Sequence, residues 1–239
     1  MSSQSDRRRL LSLAGAAAFA TSLPGVKSVH GAEKNEHEDE VEAAEDLMRE
    51  HGVLRRALLV YAEAAGRLAP GRGEVPADSL AHTATLFRSF GEGYHERSEE
   101  KHVFPVLMKA GGRNGMLSGI LKQQHDRGRE ITEYILAVTR GGRIASANNA
   151  PLSSALVAFV RMYQHHTAIE DTVIFPAWKA AISKAQYREL SEEFEEIEQR
   201  MFGKDGFEDA VKRISTIEQA FGLDDLGKLT APPPPKPTA

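Results

Sequence analysis

The chain has 239 residues, 41% of them hydrophobic and 27% charged, which is enough apolar content for one core and too much for a disordered chain. Its net charge of −4 comes without a basic stripe, which argues against nucleic-acid binding, and the lack of cysteine excludes disulfides, thiolate metal sites, iron–sulfur ligation and a lipoprotein anchor. Strand-forming residues are sparse beside Ala, Leu, Glu, Lys and Arg, so the expected class is all-α.

Residues 1–32 read as an export signal. Arg7, Arg8 and Arg9, followed by Leu10 and Leu11, precede a weakly apolar, Ala-rich run to Leu23 that is too short to span a bilayer comfortably. The arginine pair with two leucines resembles a twin-arginine signal, and cleavage after Ala20 or after Ala32 would fit. The expected location is the bacterial periplasm or the extracellular space, with no stable membrane span after processing. The acidic lead-in, 33–46, carries eight acids and one lysine and reads as solvated surface, His37 included.

From Leu47 the apolar spacing turns helical, through His51, Leu54, Leu58, Tyr61 and Ala65, so His51 falls within an apolar stripe. The segment from Pro70 to Pro76 ends this helix, and Asp78 is the expected N-cap of the next, which runs to Gly111-Gly112. A third helix is expected over about 114–140, stopping at Gly141-Gly142. A fourth opens at Asn148 to Pro151 with Ser153 and runs to about 184. Four long helices with short loops predict an up-down-up-down bundle over 47–184. Two shorter helices are expected within 185–222, split at Gly203 to Gly206 and packed on the outside, and the Pro-rich segment 223–239 reads as a disordered tail.

Part of the bundle is written twice. His95-Glu-Arg-Ser-Glu99, with Phe104-Pro105 beyond it, recurs as His166-Thr-Ala-Ile-Glu170 with Phe175-Pro176, and an acid follows each glutamate (Glu100, Asp171). A single histidine precedes each copy, since Leu47-Met-Arg-Glu-His51 aligns with Leu121-Lys-Gln-Gln-His125. Residues four apart share a helix face, so four imidazoles and two carboxylates should meet inside the bundle. Two buried carboxylates demand positive charge. If each glutamate bridges, two metal ions would each receive two histidines and two carboxylate oxygens; imidazole and carboxylate suit iron, with manganese or zinc as alternatives.

Other residues have plainer expected roles. His102, seven after His95, is a packing residue or a spare group on the same face, and His165 lies at the surface or rim. Pro105 and Pro176 should kink or end their helices. Gly91, one turn before His95, leaves room for a ligand or allows close packing, while Tyr94 and Tyr163 read as core near the site. Glu92 with His95, and Glu99 with His102, have a ferritin-like Glu-x-x-His spacing, but neither recurs in the second copy.

The series His51, His95-x3-Glu99, His125, His166-x3-Glu170, with Phe-Pro after each glutamate, resembles the hemerythrin-like HHE cation-binding family over about residues 45–222. The resemblance implies a four-helix bundle around a non-haem di-iron centre, with these six residues as ligands. It departs in one respect from the invertebrate oxygen carriers, which place a second histidine where this chain has Arg129, although their aspartate five residues after the last histidine is matched by Asp171. The four-His, two-Glu set is more similar to a subgroup that includes proteins of iron–sulfur repair, though those act in the cytosol and many carry a Cys-bearing segment absent here. The implied function is binding of dioxygen, nitric oxide or a related small oxidant, for sensing, storage or scavenging. The alternatives are an enzyme that reduces peroxide or nitric oxide or oxidises ferrous iron, and a metal-free helical interaction module.

Overall fold

The computed structural model describes residues 41–203 and 205–237, so the expected signal peptide, His37 and most of the acidic lead-in lie outside the described residues. The chain divides into units 1–41 and 42–239, and the second holds every element below. All regular structure in the described residues is helical. Helix α1 is Ala43–Arg67 and α2 covers 77–110; α3 is Gly112–Val138 and α4 covers 149–181; α5 is Lys184–Phe202, α6 is Gly206–Phe221, and α7 is the single turn Leu226–Leu229. Residues 231–237 have no regular structure and are exposed.

Helices α1 to α4 form the bundle, in which α1 and α3 each neighbour both α2 and α4. The connections turn where glycine supplies backbone that other residues adopt at a cost: Gly111 and Gly112 between α2 and α3 have φ of 74° and 65°, and Gly141 and Gly142 after α3 have 85° and 72°. Asp78 is not the N-cap of α2. That position is Pro76, whose φ is fixed by its ring, and the Asp78 carboxylate lies against Gly142, where a Cβ would come within 2.9 Å of it. Gly91 also serves packing, since a Cβ there would sit 3.1 Å from the Leu54 side chain.

Pro105 and Pro176 neither end nor break their helices. Each helix widens into a π turn just before the Phe-Pro step, over Glu99–Val103 in α2 and Glu170–Ile174 in α4, then continues for another seven residues, Phe104–Ala110 and Phe175–Ala181. A proline has no N–H to close the ladder, and its ring collides with the carbonyl four residues back; a wider turn relieves both problems. A further π stretch, Phe87–His95, occurs only in α2.

Two apolar clusters sandwich a polar layer. Leu47, Leu121, Val103, Phe104, Ile174, Phe175 and Trp178 pack on one side, and Leu54, Leu58, Phe87, Phe159 and Ile135 on the other. The lone histidines lie at the boundary, His51 between Leu47 and Leu54, and His125 between Leu121 and Ile135. The C-terminal helices brace α1. Helix α5 supplies the N-terminal caps that α1 lacks from its own sequence, because the Ala43 N–H donates to Ser191 Oγ at 3.0 Å and the Ala44 N–H to the Tyr187 hydroxyl at 2.9 Å. Helix α6 ties Arg56 to Glu218 and Arg67 to the Phe221 carbonyl.

The α2–α3 hairpin closes on Gly115, where a Cβ would lie 2.8 Å from the Leu107 carbonyl oxygen. Backbone cannot yield as a side-chain tip can, so Gly115→Ala is expected to cost about 1–3 kcal/mol of stability. Denaturant unfolding of both proteins checks this, and an unchanged midpoint would contradict it.

Candidate metal centre

All six residues picked out by the repeat converge in the polar layer, each at most 3% exposed. The two glutamates stand between two pairs of imidazoles. Glu99 Oε1 is 3.5 Å from His95 Nε2 and its Oε2 is 3.4 Å from His125 Nε2; Glu170 Oε1 is 3.0 Å from His166 Nε2 and its Oε2 is 3.4 Å from His51 Nε2. Within the pairs, the His51 and His95 ring centroids are 4.6 Å apart and those of His125 and His166 are 4.8 Å apart. One donor atom each from Glu99, His125, His166 and Glu170 lies within 4.8 Å of all the others, and His51, His95 and Glu99 form an overlapping group.

The outer nitrogens are all engaged. His51 Nδ1 is 2.6 Å from Asp171 Oδ1, His95 Nδ1 2.6 Å from Glu50 Oε2, His125 Nδ1 3.0 Å from Glu100 Oε1, and His166 Nδ1 2.9 Å from Gln124 Oε1. Three of these partners are carboxyl oxygens and one is an amide oxygen. As acceptors, Asp171, Glu100 and the Gln124 amide oxygen place the proton of His51, His125 and His166 on Nδ1 and leave Nε2 facing inward, and an ionised Glu50 does the same for His95. Helix α1 reaches α2 through Glu50, α2 reaches α3 through Glu100, α3 reaches α4 through Gln124, and α4 returns to α1 through Asp171. The contacts therefore form a closed ring around the bundle.

Sequence reasoning found the inner six residues but not this ring. The sequence pattern marks Glu100 and Asp171 only as the acids after each paired glutamate and gives Glu50 and Gln124 no role. Their signal is adjacency in both copies, since Glu50 and Gln124 immediately precede the lone histidines, while Glu100 and Asp171 immediately follow the paired glutamates. The same symmetry explains Arg129, which stands where the oxygen carriers have a histidine. It lies four residues after His125, as Arg55 does after His51, and each arginine holds the ring acid beside it: Arg129 donates to Glu100 at 2.7 Å, and Arg55 donates to Asp171. Asp171 thus belongs to the ring and not to the inner cluster.

The Phe-Pro phenylalanines pack on the lone imidazoles, Phe175 on His51 at 5.5 Å and Phe104 on His125 at 5.3 Å. Behind His125 and His166, the Tyr163 hydroxyl donates to Glu96 Oε1 at 2.6 Å, and Arg129 donates to Glu96 Oε2 at 2.8 Å. Gly128 makes room for that hydroxyl, because a Cβ there would meet it at 2.1 Å. His102 has left the site and contacts Glu193 at 3.6 Å and the edge of Phe194. Seven residues make two α turns, but the intervening π turn rotates His102 off the face of His95. His165 is exposed. Tyr94 is buried beside the site, where it moderates the upward push of burial on Glu50. Glu92 is paired with Arg88 at 3.3 Å instead of joining His95 in a ferritin-like pair.

The cluster is electrostatically incomplete without a cation. Both oxygens of Glu99, both of Glu170 and His51 Nε2 are buried with no hydrogen-bond partner. His125 Nε2 and His166 Nε2 face each other at 3.0 Å, the separation of two neighbouring ligands around an ion with bonds of about 2.1 Å. Burial, together with the charge of Glu170, raises the Glu99 carboxyl well above the usual range. Burial opposes ionisation of Glu170 too, but His166 and His51 outweigh it and hold that carboxyl below the usual range. Burial lowers His125 to about 4 despite Glu100, and burial with the charge on His51 holds His95 well below the usual imidazole range. In the ring, burial pushes Glu50 up to about 8, whereas at Glu100 the contacts to His125 and Arg129 overcome burial and bring it to about 2. These donors fit a hard or borderline divalent ion.

The comparisons with known proteins agree with the donor set. The family model for the hemerythrin HHE cation binding domain matches residues 42–178 and, in a second frame, 116–221. The second frame begins in α3, as expected if α3 and α4 repeat α1 and α2. Over 199 residues the chain is 42% identical to the uncharacterized proteins Rv1995 and MT2051 of Mycobacterium tuberculosis and Mb2018 of Mycobacterium bovis, an alignment covering 82% of this chain and 76% of each relative. No solved structure matches significantly.

A proton held by Glu99 in the metal-free chain must leave when a cation arrives. Metal uptake is therefore expected to release protons, and affinity should fall as pH is lowered, because acid keeps Glu99 neutral and then charges the imidazoles. Calorimetric titration in buffers of different ionisation enthalpy measures the release. Affinity independent of pH between about 6 and 8, with no proton released, would contradict this reading.

Proposed function

Because the chain belongs to the hemerythrin HHE cation-binding domain family, we propose that His51, His95, Glu99, His125, His166 and Glu170 hold two non-haem iron ions. We propose further that the centre binds dioxygen, nitric oxide or a related small oxidant, for sensing, storage or scavenging. The observation that carries the metal reading is the inward set of four unpartnered carboxylate oxygens, facing imidazoles whose outer nitrogens are already engaged. A metal-free interaction module would bury both carboxyl groups with only a proton on Glu99 and the imidazoles around Glu170 to ease the cost.

Bound iron would supply electron transfer and coordination positions open to a small ligand. The chain's own residues do the rest. The closed ring fixes each imidazole's tautomer and tilt, Glu99 and Glu170 each offer one oxygen to either histidine pair, and Phe104 and Phe175 keep water from two of the rings.

Protein loaded anaerobically with ferrous iron is expected to carry about two irons per chain and to change its optical spectrum on exposure to dioxygen or nitric oxide. His95→Ala should lose at least one iron and the spectral response. Iron-loaded protein that is indifferent to both gases would remove the ligand-binding reading. Steady-state consumption of peroxide or nitric oxide, or oxidation of ferrous iron, abolished by the same substitution, would establish an enzyme instead.

We also propose export, supported by Arg8, Arg9 and the apolar run that follows. No helix among the described residues is long and apolar enough to cross a membrane. Cell fractionation should find the protein outside the cytoplasm, and retain it inside when Arg8→Lys and Arg9→Lys are combined. Equal export of both forms would exclude the twin-arginine route.

A further inference from the structure

The ring around the cluster is closed but uneven. The inner carboxylates offer the two histidine pairs the same donor types, one oxygen of Glu99 and one of Glu170 within 3.0 to 3.5 Å of each pair, although the donors around His125 and His166 stand closer together. The arginines are matched as well, Arg55 on Asp171 and Arg129 on Glu100. The difference in chemical kind lies directly behind the imidazoles.

His51 and His95 both face carboxyl groups, Asp171 and Glu50, and both contacts are 2.6 Å. His125 contacts Glu100 at 3.0 Å, on Oε1, the same atom that accepts from Arg129 at 2.7 Å. His166 contacts the neutral amide oxygen of Gln124 at 2.9 Å. On the first side, Arg55 takes the other oxygen of Asp171 and leaves the one facing His51 unshared. A carboxyl group close behind an imidazole, ionised when a cation sits on the far nitrogen, draws on the N–H and enriches that nitrogen, whereas a longer, shared carboxylate contact does so less and an amide only weakly. Gln124 and Glu50 hold the same place in the repeat, immediately before the lone histidine, so the two-fold pattern is broken there by one amide for one carboxyl group.

We infer that the two metal positions are unequal: the one at His51 and His95 fills first and more tightly, the one at His125 and His166 is weaker, and Gln124 is the positioning residue that sets the difference. This rests on the two-metal reading proposed above. A centre built in this way passes through a one-metal state of defined location as it loads, which a symmetric ring would not.

Cobalt(II) is the probe. Metal-free full-length protein titrated calorimetrically should take up two ions in steps separated by about tenfold or more in affinity. Crystals grown with one equivalent should give anomalous density between His51 and His95. Gln124→Glu, nearly isosteric, should tighten the second step and narrow the gap, while Glu50→Gln should weaken the first step and narrow it from the other side. Circular dichroism identifies which variants are folded, and either folded variant suffices. Two ions bound in one step, first density at His125 and His166, or a gap unmoved in a folded variant would overturn the inference and leave the two-metal reading standing. A folded wild-type chain that binds no cobalt and no iron would overturn both.

Discussion

Two ionised carboxylates cannot rest between apolar clusters without positive charge to offset them, and the rest of the bundle is arranged around that constraint. Glu99 and Glu170 are fully buried, with Leu47, Phe104 and Phe175 packed on one side of their layer and Leu54, Phe87 and Phe159 on the other. Without a cation, the fold carries the desolvation cost of both groups, eased only by a proton on Glu99 and by the imidazoles around Glu170. A bound cation would turn that cost into an attraction. Stability and metal content are thus two views of one equilibrium.

Much of the inner cluster was legible in the sequence, because His-x3-Glu places two donors on one helix face whatever surrounds the helix, and a pattern present twice is hard to mistake for core packing. The ring was less legible. Glu50 is one residue from His51, so its side chain leaves the helix about 100° away and finds His95 on a different helix; only the packing of four helices reveals that partner. The caps that α5 lends to α1 were hidden for the same reason, since Tyr187 and Ser191 lie more than 140 residues from the amides they satisfy. Of the two outcomes expected at Pro105 and Pro176, a kink or an end, the end does not occur, because a helix can absorb a missing N–H by widening its turn.

That widening matters to the site. Glu99 and Glu170 each open a π turn, so the face they present differs from the one an unbroken α ladder would give to the residues beyond. It also decides what the site excludes. His102 turns toward Phe194 and α5, and the inner cluster keeps four imidazoles instead of five. The Phe-Pro step is in this sense part of the metal motif, positioning Phe104 and Phe175 on the lone histidines while turning the next polar side chain away.

The links of the ring alternate in kind. Glu50 to His95 and Gln124 to His166 lie within the α1–α2 and α3–α4 hairpins, whereas Glu100 to His125 and Asp171 to His51 run between them. A hairpin on its own would therefore hold one imidazole correctly, leave the other free to spin and flip tautomer, and carry an acid with nothing to grip. Both defects disappear in the same docking event. Each hairpin thus brings the acid that the other's lone histidine lacks, and a chain holding one copy of the unit would need a second chain to finish the layer.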